Sequence, residues 1–411
     1  MTPTPATTAA PLWKNRDYLL LWFGQSVSIL GTHVSHLAFP LLVLALTGSP
    51  AQAGFVAAAR SVPWLLFALP AGALVDRWDR KLTMILCGLG SGLALGSIPI
   101  AYAFDALTIA QIVIVSFIEG AFALVFGLAE TSALPHVVTR EQLPTAIAQQ
   151  QAQYAVGALL GPPLGGALYG AARMLPFLVD ALSYAVSACS LRFVRATFGG
   201  QSAGPERSLR AEIGEGLTWL WRQPLVRYMS FLTGALNFTA GLDLIIIVLV
   251  QRQGASSATI GAMFAIAGAG GVIGALLAPR IQRRFSFGQV IIGLCWFSAL
   301  VYALFAATSS VALITAILAI YFLAMPAYDT VQLSYRLALI PRPLQGRVNS
   351  VFRLVAQGMR PLGLGLTGVL IEHWDLAGTT LALSAWLAAV ALLTTLNSHV
   401  RTAPVLTEVA A

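Results

Sequence analysis

Charged residues are scarce in this chain of 411 residues. Only 10% are Asp, Glu, Lys or Arg, 57% are hydrophobic, and the mean hydropathy is +0.79. This composition is too apolar for a soluble protein. The chain is therefore predicted to be a membrane protein that crosses the bilayer several times.

Cysteine is also rare, and its placement excludes further classes. Cys87, Cys189 and Cys295 lie far apart within apolar segments, without the paired spacing of a metal site or a disulfide framework. We interpret them as small apolar fillers. A phosphate-binding loop, a nucleophile elbow and a His/Asp group of catalytic spacing are also missing. We therefore expect no metal, no cofactor and no enzymatic activity.

Short strands of alternating polarity are absent, which argues against a membrane β-barrel. Long apolar runs take their place, and about 20 apolar residues are enough for a helix to cross the hydrocarbon core. Twelve such runs occur, six on each side of the longest polar segment. They fall at about 18–46, 51–75, 81–103, 107–134, 144–169, 174–194, 225–250, 255–279, 286–307, 309–335, 344–371 and 376–398.

These runs predict a cytoplasmic tail, a six-helix bundle, a cytoplasmic linker, a second six-helix bundle and a second tail. The boundaries are 1–17, 18–194, 195–224, 225–400 and 401–411. Residues 211–222 of the linker have the pattern of an amphipathic helix on the membrane surface. The first eleven residues lack the basic region, apolar core and cleavage site of a signal peptide, so we expect no cleavage.

Basic residues are distributed asymmetrically between the two sides of the membrane. Of the 24 Lys and Arg residues, only Arg173 and Arg252 fall in outer loops when the N-terminus is placed inside. This bias predicts a protein of the cytoplasmic membrane with both termini in the cytoplasm. The net charge of +8 therefore reflects membrane topology, and we expect lipid rather than nucleic acid as a partner. Arg60, Arg353 and Arg360 remain inside predicted spans.

A cluster of charges separates the second and third runs, where 72–81 reads G-A-L-V-D-R-W-D-R-K. Gly72 lacks a side chain and permits close approach of another helix. Asp76 would lie at a helix end, within reach of the positive N-terminus of a neighbouring helix. The sequence predicts a conformational latch formed by Gly72, Asp76, Arg77, Arg80 and Lys81.

This cluster resembles the signature G-x-L-x-D-R-x-G-R-K of the major facilitator superfamily, found between its second and third transmembrane helices. Asp79 stands where the signature has glycine, a variant similar to the branch of enterobactin exporters and macrolide-efflux proteins. The resemblance covers about 18–400. It implies an all-α membrane fold of twelve helices in two pseudo-symmetric bundles, substrate binding at their interface, and a monomer.

The fifth run contains G-A-L-L-G-P-P-L-G-G at 157–166, which is similar to the antiporter signature of the same superfamily. Glycines permit close helix packing, and proline removes a backbone hydrogen bond. The predicted antiporter-motif seam comprises Gly157, Gly161, Pro162, Gly165 and Gly166. An ordinary packing face of small residues is the alternative. The arginine of the family's R-x-x-Q-G motif is missing, since 116–120 reads S-F-I-E-G.

Ionisable residues inside a bilayer are costly, so each is a functional candidate. Apolar surroundings favour the neutral carboxyl group, which can then exchange a proton. The proton-coupling candidates are Glu119, Asp243, His36 and His33. The alternative is a structural role, which for Glu119 includes an ion pair with Arg360.

Other polar and aromatic residues of the spans are candidates for a cavity or a gate. In the first run, Gln25, Ser28, Thr32, Ser35 and His36 form one polar stripe. The substrate-cavity candidates are Gln25, Thr32, Phe126, Asn237, Tyr328 and Arg360. The inner-gate candidates are Glu130, Asp329, Arg336 and Arg353. Snorkelling of the two arginines to the interface is the alternative for the gate.

Together these features predict a proton-coupled exporter of amphipathic small molecules such as drugs, macrolides or siderophores, working by alternating access. Its expected partners are the small-molecule substrate, protons and membrane lipid. A proton-coupled importer of a small solute is one alternative. A non-transporting receptor on the same fold is another, because fold does not determine function.

Overall fold

The computed structural model describes residues 11–75, 77–196, 198 and 209–403. Helices dominate these residues, which contain no β-strand. Two short 3₁₀ helices occur at Leu12–Lys14 and Arg342–Leu344. The α-helices are α1 (Arg16–Thr47), α2 (Pro50–Val75), α3 (Arg80–Ala103), α4 (Ile109–Val137), α5 (Leu143–Ala171), α6 (Leu175–Phe193), α7 (Leu209–Arg222), α8 (Pro224–Asn237), α9 (Leu242–Gln251), α10 (Ser257–Arg284), α11 (Phe287–Ala307), α12 (Val311–Leu339), α13 (Gln345–Gly358), α14 (Arg360–His373), α15 (Leu376–Leu396) and α16 (Ser398–Arg401).

Ten segments of the described residues are long and apolar enough to cross a membrane. Two of them combine a pair of helices, namely α8 with α9 and α13 with α14. The other two predicted runs form α5, whose first half is rich in glutamine, and α6, which has 19 residues. The chain is thus a multi-pass helical membrane protein, and apolar side chains such as Leu93 and Leu276 lie exposed on its outer surface.

Local sequence explains where many helices begin. Side chains of Asn15, Asp79, Thr108, Ser256 and Ser310 each accept a hydrogen bond from a backbone N–H in the first turn of the helix that follows. This contact satisfies a donor that the helix itself leaves without a partner. The predicted linker helix is also present, as α7.

Two predicted runs are broken rather than continuous. The run at 225–250 is interrupted at 238–241, where Gly241 abuts Thr367 and the Phe238 carbonyl abuts Gly363. The run at 344–371 is interrupted at Met359, and Pro361 lies in the first turn of α14. Proline lacks an N–H and is favoured in the first turn of a helix, where that N–H would have no partner within the helix. Discontinuous helices of this kind border binding sites in many transporters.

The helices pack as two groups. In the first group, α1 packs on α5 and α6, α3 packs on α4 and α6, and α2 packs on α4. In the second group, α10 packs on α12, α11 packs on α12 and α15, and α8 packs on α13. The most extensive contacts between the groups are those of α5 with α10 and of α2 with α14.

The connections between helices alternate between two ends of the molecule. We call the end with the connections 75–80, 137–143, 284–287 and 339–345 the termini-bearing end, because α1 begins there and α15 ends there. Near the opposite end, one hydrophobic core joins both groups and includes Leu42, Ile245 and Phe305. Near the termini-bearing end, each group has its own core, one around Met84 and one around Val348. The two groups therefore share a hydrophobic core at one end and have separate cores at the other.

Candidate functional site

A central cavity of about 280 Å³ lies between the two groups of helices. Helices α1, α2, α4 and α5 form one side, and α9, α10, α12 and α14 form the other. Most of its wall is apolar, including Phe39, Phe264 and Phe322. Its ionisable lining residues are His33, His36, Arg60, Asp243 and Arg360. An adjoining space of about 270 Å³ shares several of these residues and is also lined by Trp64, Arg353 and Gln357.

The opposite end of the central cavity is closed by backbone contacts. A Cβ atom on Gly166 would collide with Ser257, and one on Gly261 would lie 2.5 Å from the Pro162 carbonyl. Between α2 and α14, a Cβ on Gly54 would lie 2.7 Å from the Leu364 carbonyl. Such close approach to the backbone of a neighbouring helix is possible because glycine has no side chain. These contacts hold the two groups together at this end.

The predicted antiporter-motif seam makes contacts in two directions. Gly157 and Gly161 abut His33 of α1, and Gly165 abuts Val34. Gly166 instead faces α10, and Pro162 lines the central cavity. The motif therefore supports both the packing of α5 within its own group and its contact with the other group.

Glu119 of α4 is fully buried and forms an ion pair with Arg60 of α2, at 2.7 Å between Nη2 and Oε1. The same carboxylate oxygen accepts a hydrogen bond from Tyr184 at 3.2 Å. Oε2 of Glu119 and Nη1 of Arg60 have no hydrogen-bond partner among the described residues. The suggested partner Arg360 was wrong, because α2 packs directly on α4 whereas Arg360 lies on α14 of the other group.

Asp180 of α6 belongs to a neighbouring set of buried polar side chains. Its carboxylate accepts hydrogen bonds from Ser35 of α1 and Ser183 of α6. Of the predicted polar stripe, Ser35 therefore faces α6, whereas His36 lines the central cavity. The stripe is divided between protein interior and cavity.

Asp243 and Arg360 contribute charges to the second group's side of the cavity. Both are partly exposed, and neither forms an ion pair within 4.0 Å in the described part of the chain. Each lies just after a helix break, at the start of α9 or α14. The breaks thus bring charged side chains to the cavity wall.

A second cavity of about 150 Å³ lies within the first group of helices. The predicted cavity residues Gln25, Thr32 and Phe126 line this space rather than the central cavity, whereas His33 borders both. Ser28, Ser91, Tyr154 and Tyr184 place hydroxyl groups on a wall that is otherwise mainly apolar. The sequence could indicate that this stripe faces a cavity, but not which one.

Two further substrate-cavity candidates face other parts of the second group. The Tyr328 hydroxyl lies 2.9 Å from the Thr233 hydroxyl, in a small pocket between α8 and α12. Asn237 donates a hydrogen bond to the Ala356 carbonyl at 2.8 Å. In this conformation neither residue lines the central cavity.

The four inner-gate candidates form no ion pair with one another among the described residues. Glu130 is buried beside Gln25, and Asp329 is exposed. The guanidinium of Arg336 lies 3.8 Å from the ring centre of Phe352. That of Arg353 lies 5.2 Å from the ring centre of Trp64, a cation–π contact between the two groups.

The predicted latch is described except for Asp76, which lies outside the described residues. Arg80 is buried and bonds to His136 of α4 at 3.0 Å, and Lys81 donates to the Val194 carbonyl at 2.6 Å. Asp79, in place of the signature glycine, caps α3 by accepting from the Leu82 N–H at 2.8 Å. The prediction of a close helix contact at Gly72 was wrong for this conformation. A Cβ atom built on Gly72 would have no described atom of another helix within 4 Å.

A cavity between two groups of membrane helices, bordered by discontinuous helices and closed at one end, is the architecture of a secondary transporter. The family model of the Major Facilitator Superfamily matches residues 21–364. The chain belongs to this superfamily, which confirms the resemblance found in its sequence.

Two of the relatives are named as efflux proteins. The chain is 27% identical over 384 residues to the multidrug efflux pump Tap of Mycobacterium tuberculosis, covering 89% of both chains. It is 24% identical over 382 residues to macrolide efflux protein A of Streptococcus pyogenes, covering 90% of this chain and 94% of the relative. In fold it is similar to the crystal structure of the nucleoside transporter NupG, with a TM-score of 0.73, 16% identity and coverage of 92% of this chain and 98% of that one.

Proposed function

We propose that this chain exports amphipathic small molecules in exchange for protons. Its twelve transmembrane helices comprise the ten apolar spans together with α5 and α6, in bundles at 18–194 and 225–400 joined by the linker 195–224. Both termini lie in the cytoplasm, and the working unit is a monomer. The names of the relatives support export, and the positive-inside charge bias supports the orientation.

The central cavity is the observation that carries this proposal. It lies between the two groups, its opposite end is closed, and the separate cores at the termini-bearing end leave room for the groups to move apart. In the proposed orientation this conformation faces the cytoplasm. Rocking the groups about the central site would then open the outer side.

The cavity lining supports an amphipathic substrate. Apolar and aromatic side chains predominate, and a few charged groups from both halves face the same space. Apolar walls bind the greater part of a drug-sized molecule, and isolated polar groups orient it. Arg360 and Asp243 are the proposed polar contacts.

Proton coupling is proposed at Glu119. A protonated Glu119 has no charge to hold the Arg60 guanidinium, so uptake of a proton would release Arg60 at the cavity wall. His33, His36 and Asp243 remain further candidates because they line the same cavity. The latch at 72–81 and the gate residues Glu130, Asp329, Arg336 and Arg353 would close the cytoplasmic side in the outward-facing state.

The proposal is tested by efflux of ethidium and erythromycin from energised cells expressing the chain, with and without a protonophore. Wild-type efflux should stop with the protonophore, and Glu119→Gln should reduce it at least about tenfold, as expected for loss of a proton-transfer group. Asp105→Asn is the matched control, because Asp105 is an exposed loop residue with a φ of 51° that asparagine tolerates.

Different results would favour the other functions. Uptake rather than efflux under the same gradient would indicate an importer. Binding of a ligand by purified protein, without movement across liposomes, would indicate a receptor. Efflux that persists in the presence of protonophore would contradict proton coupling.

A further inference from the structure

Glu119 lies between the two cavities without lining either of them. Its partner Arg60 is on the wall of the central cavity, whereas its partner Tyr184 is on the wall of the second cavity. The Glu119 side chain itself is 0% exposed. A proton can therefore approach this carboxylate from the side opposite to the substrate.

The hydrogen bonds on that side have a defined direction. Tyr184 has a single hydroxyl proton, which it donates to Oε1 of Glu119 at 3.2 Å. The 3.0 Å contact between the hydroxyls of Thr32 and Tyr184 must then be donated by Thr32. Thr32 also lines the second cavity, so an ordered chain of donors leads from the cavity through Thr32 and Tyr184 to Glu119.

The second cavity has a mostly apolar wall, but it has room for water beside the polar groups of α1 and α3. Its volume of about 150 Å³ far exceeds the roughly 10–15 Å³ that one water molecule requires, and Gln25, Ser28 and Ser91 supply polar partners. Glu130 lies beside Gln25 and close to Tyr154, on the side of the cavity nearer the termini-bearing end. A carboxylate at that position can pass protons to the water inside.

We propose that the second cavity is a water-filled proton route, separate from the substrate cavity, and that Tyr184 carries the last step to Glu119. This inference rests on the proton coupling proposed above. The route begins near Glu130, follows Gln25, Ser28 and Thr32 along one face of α1, and ends at Tyr184. It explains why the polar stripe of α1 faces away from the central cavity over most of its length.

The transfer is balanced in protons. One proton from cavity water binds the Thr32 oxygen as the original Thr32 proton moves to the Tyr184 oxygen. The original Tyr184 proton moves to Oε1 of Glu119, and rotation of the two hydroxyls restores the starting arrangement. The charged and titratable groups facing Glu119 are Arg60 of α2 and Asp180 and Tyr184 of α6, with His33 and His36 of α1 facing Arg60.

The test follows protonation of Glu119 directly and needs no substrate. Purified protein in detergent is subjected to a rapid drop in pH, and infrared spectroscopy follows the carbonyl band of the protonated carboxyl group, identified as the band absent from Glu119→Gln. Tyr184→Phe should slow the appearance of this band by about tenfold or more, because it removes only the relaying hydroxyl. Tyr169→Phe is the control, since the Tyr169 hydroxyl bonds to the Leu41 carbonyl away from Glu119.

A second variant tests the route independently of Tyr184. Gly127 lines the second cavity, and a Cβ built on it meets no described atom within 4 Å. Gly127→Leu should therefore fold, add apolar volume at the wall and slow protonation of Glu119, whereas Gly293→Leu on the outside of the second group should not.

The outcomes separate this inference from the proposed function. Unchanged protonation rates in Tyr184→Phe and Gly127→Leu would overturn the proton route, as would the absence of any band that depends on Glu119. Slower protonation in both variants, combined with efflux that resists the protonophore, would support the route and refute proton-driven export.

Discussion

At the scale of residues, the most unusual feature of this molecule is the ion pair between Arg60 and Glu119, because it lies inside the apolar region. Both side chains lie within helices of the apolar region, and Glu119 has no contact with either cavity. A buried pair contributes little net stability, but removal of one member leaves the other without compensation for its lost hydration. The two members differ in how much hydration they lose, because 17% of the Arg60 side chain remains exposed, at the wall of the central cavity, and none of the Glu119 side chain does.

This difference predicts unequal effects of single substitutions. Arg60→Met should lower the free energy of unfolding by about 3–5 kcal/mol, because it leaves Glu119 buried without a cation. Glu119→Gln should cost clearly less, since Arg60 can turn to the cavity. The double variant with Arg60→Met and Glu119→Gln should regain much of the stability that Arg60→Met alone loses. Thermal unfolding in detergent measures the stability of all three variants. Equal and additive losses would show that the ion pair does not couple the two residues.

Sequence reasoning at this scale identified the ionisable residues but not their partners. The free-energy cost of placing an ionisable side chain inside the bilayer was sufficient to select Glu119 and Arg60, because each lies deep within a predicted span. Arg60 and Arg360 were equivalent on that criterion. Only the packing of α2 on α4 decides between them, and the amino-acid pattern of one helix does not determine which helix lies beside it.

Glycines determine the contacts at the scale of helices. Those of α5 lie against α1 and α10, and those at the start of α2 and the end of α14 lie against each other. Most of these glycines face backbone atoms, whereas Gly157 faces the side chains of Ile29 and His33, and in each case the space is too small for a methyl group. The motif in 157–166 was predicted to be a close-packed seam. The contacts show that it packs against α1 on one side and α10 on the other.

Gly166→Ala should weaken closure at the opposite end. A Cβ at this position collides with the backbone of Ser257, so the expected cost is about 1–3 kcal/mol as for other overpacked sites. Gly293→Ala is the matched control, because a Cβ at Gly293 meets no described atom within 4 Å and alanine favours a helix. The melting temperature in detergent should fall only for Gly166→Ala, and equal melting temperatures would contradict the close contact.

Helix breaks were not foreseen from the apolar runs. The run at 225–250 has no proline inside it, and its apolar residues continue across the break at 238–241. The interruption coincides with contacts to Gly363 and Thr367 of α14. Tertiary packing therefore overrides a local pattern that would otherwise favour one continuous helix.

At the scale of the whole molecule, a side-chain contact adds to the backbone contacts that link the groups across the closed end. Glu372, at the end of α14, accepts hydrogen bonds from the Ser49 hydroxyl and from the Ala51 N–H at the start of α2. It thus caps a helix of the other group. This contact must break whenever the opposite end opens.

Glu372→Ala should therefore favour opening of that end. The exposed carboxylate is screened by solvent, so its two hydrogen bonds are worth about 1 kcal/mol, or about a fivefold change in the ratio of closed to open molecules. Distances between spin labels at Leu46 and Trp374 should shift towards longer values. His373→Ala is the control, since its ring bonds to Val369 of the same helix. An unchanged distance distribution would show that Glu372 does not stabilise the closed end.

The amino-acid sequence was sufficient to identify the membrane environment, the approximate limits of the spans, the family and the residues whose burial is costly. These properties depend on composition, on the length and spacing of apolar residues and on local motifs, and each can be evaluated within one segment. Only the tertiary structure shows that Glu119 pairs with Arg60, that the polar stripe of α1 faces two different cavities, and that the groups of helices share a hydrophobic core at one end but have separate cores at the other. These properties depend on which helices are neighbours, and that is set by the combined packing of residues far apart in the chain.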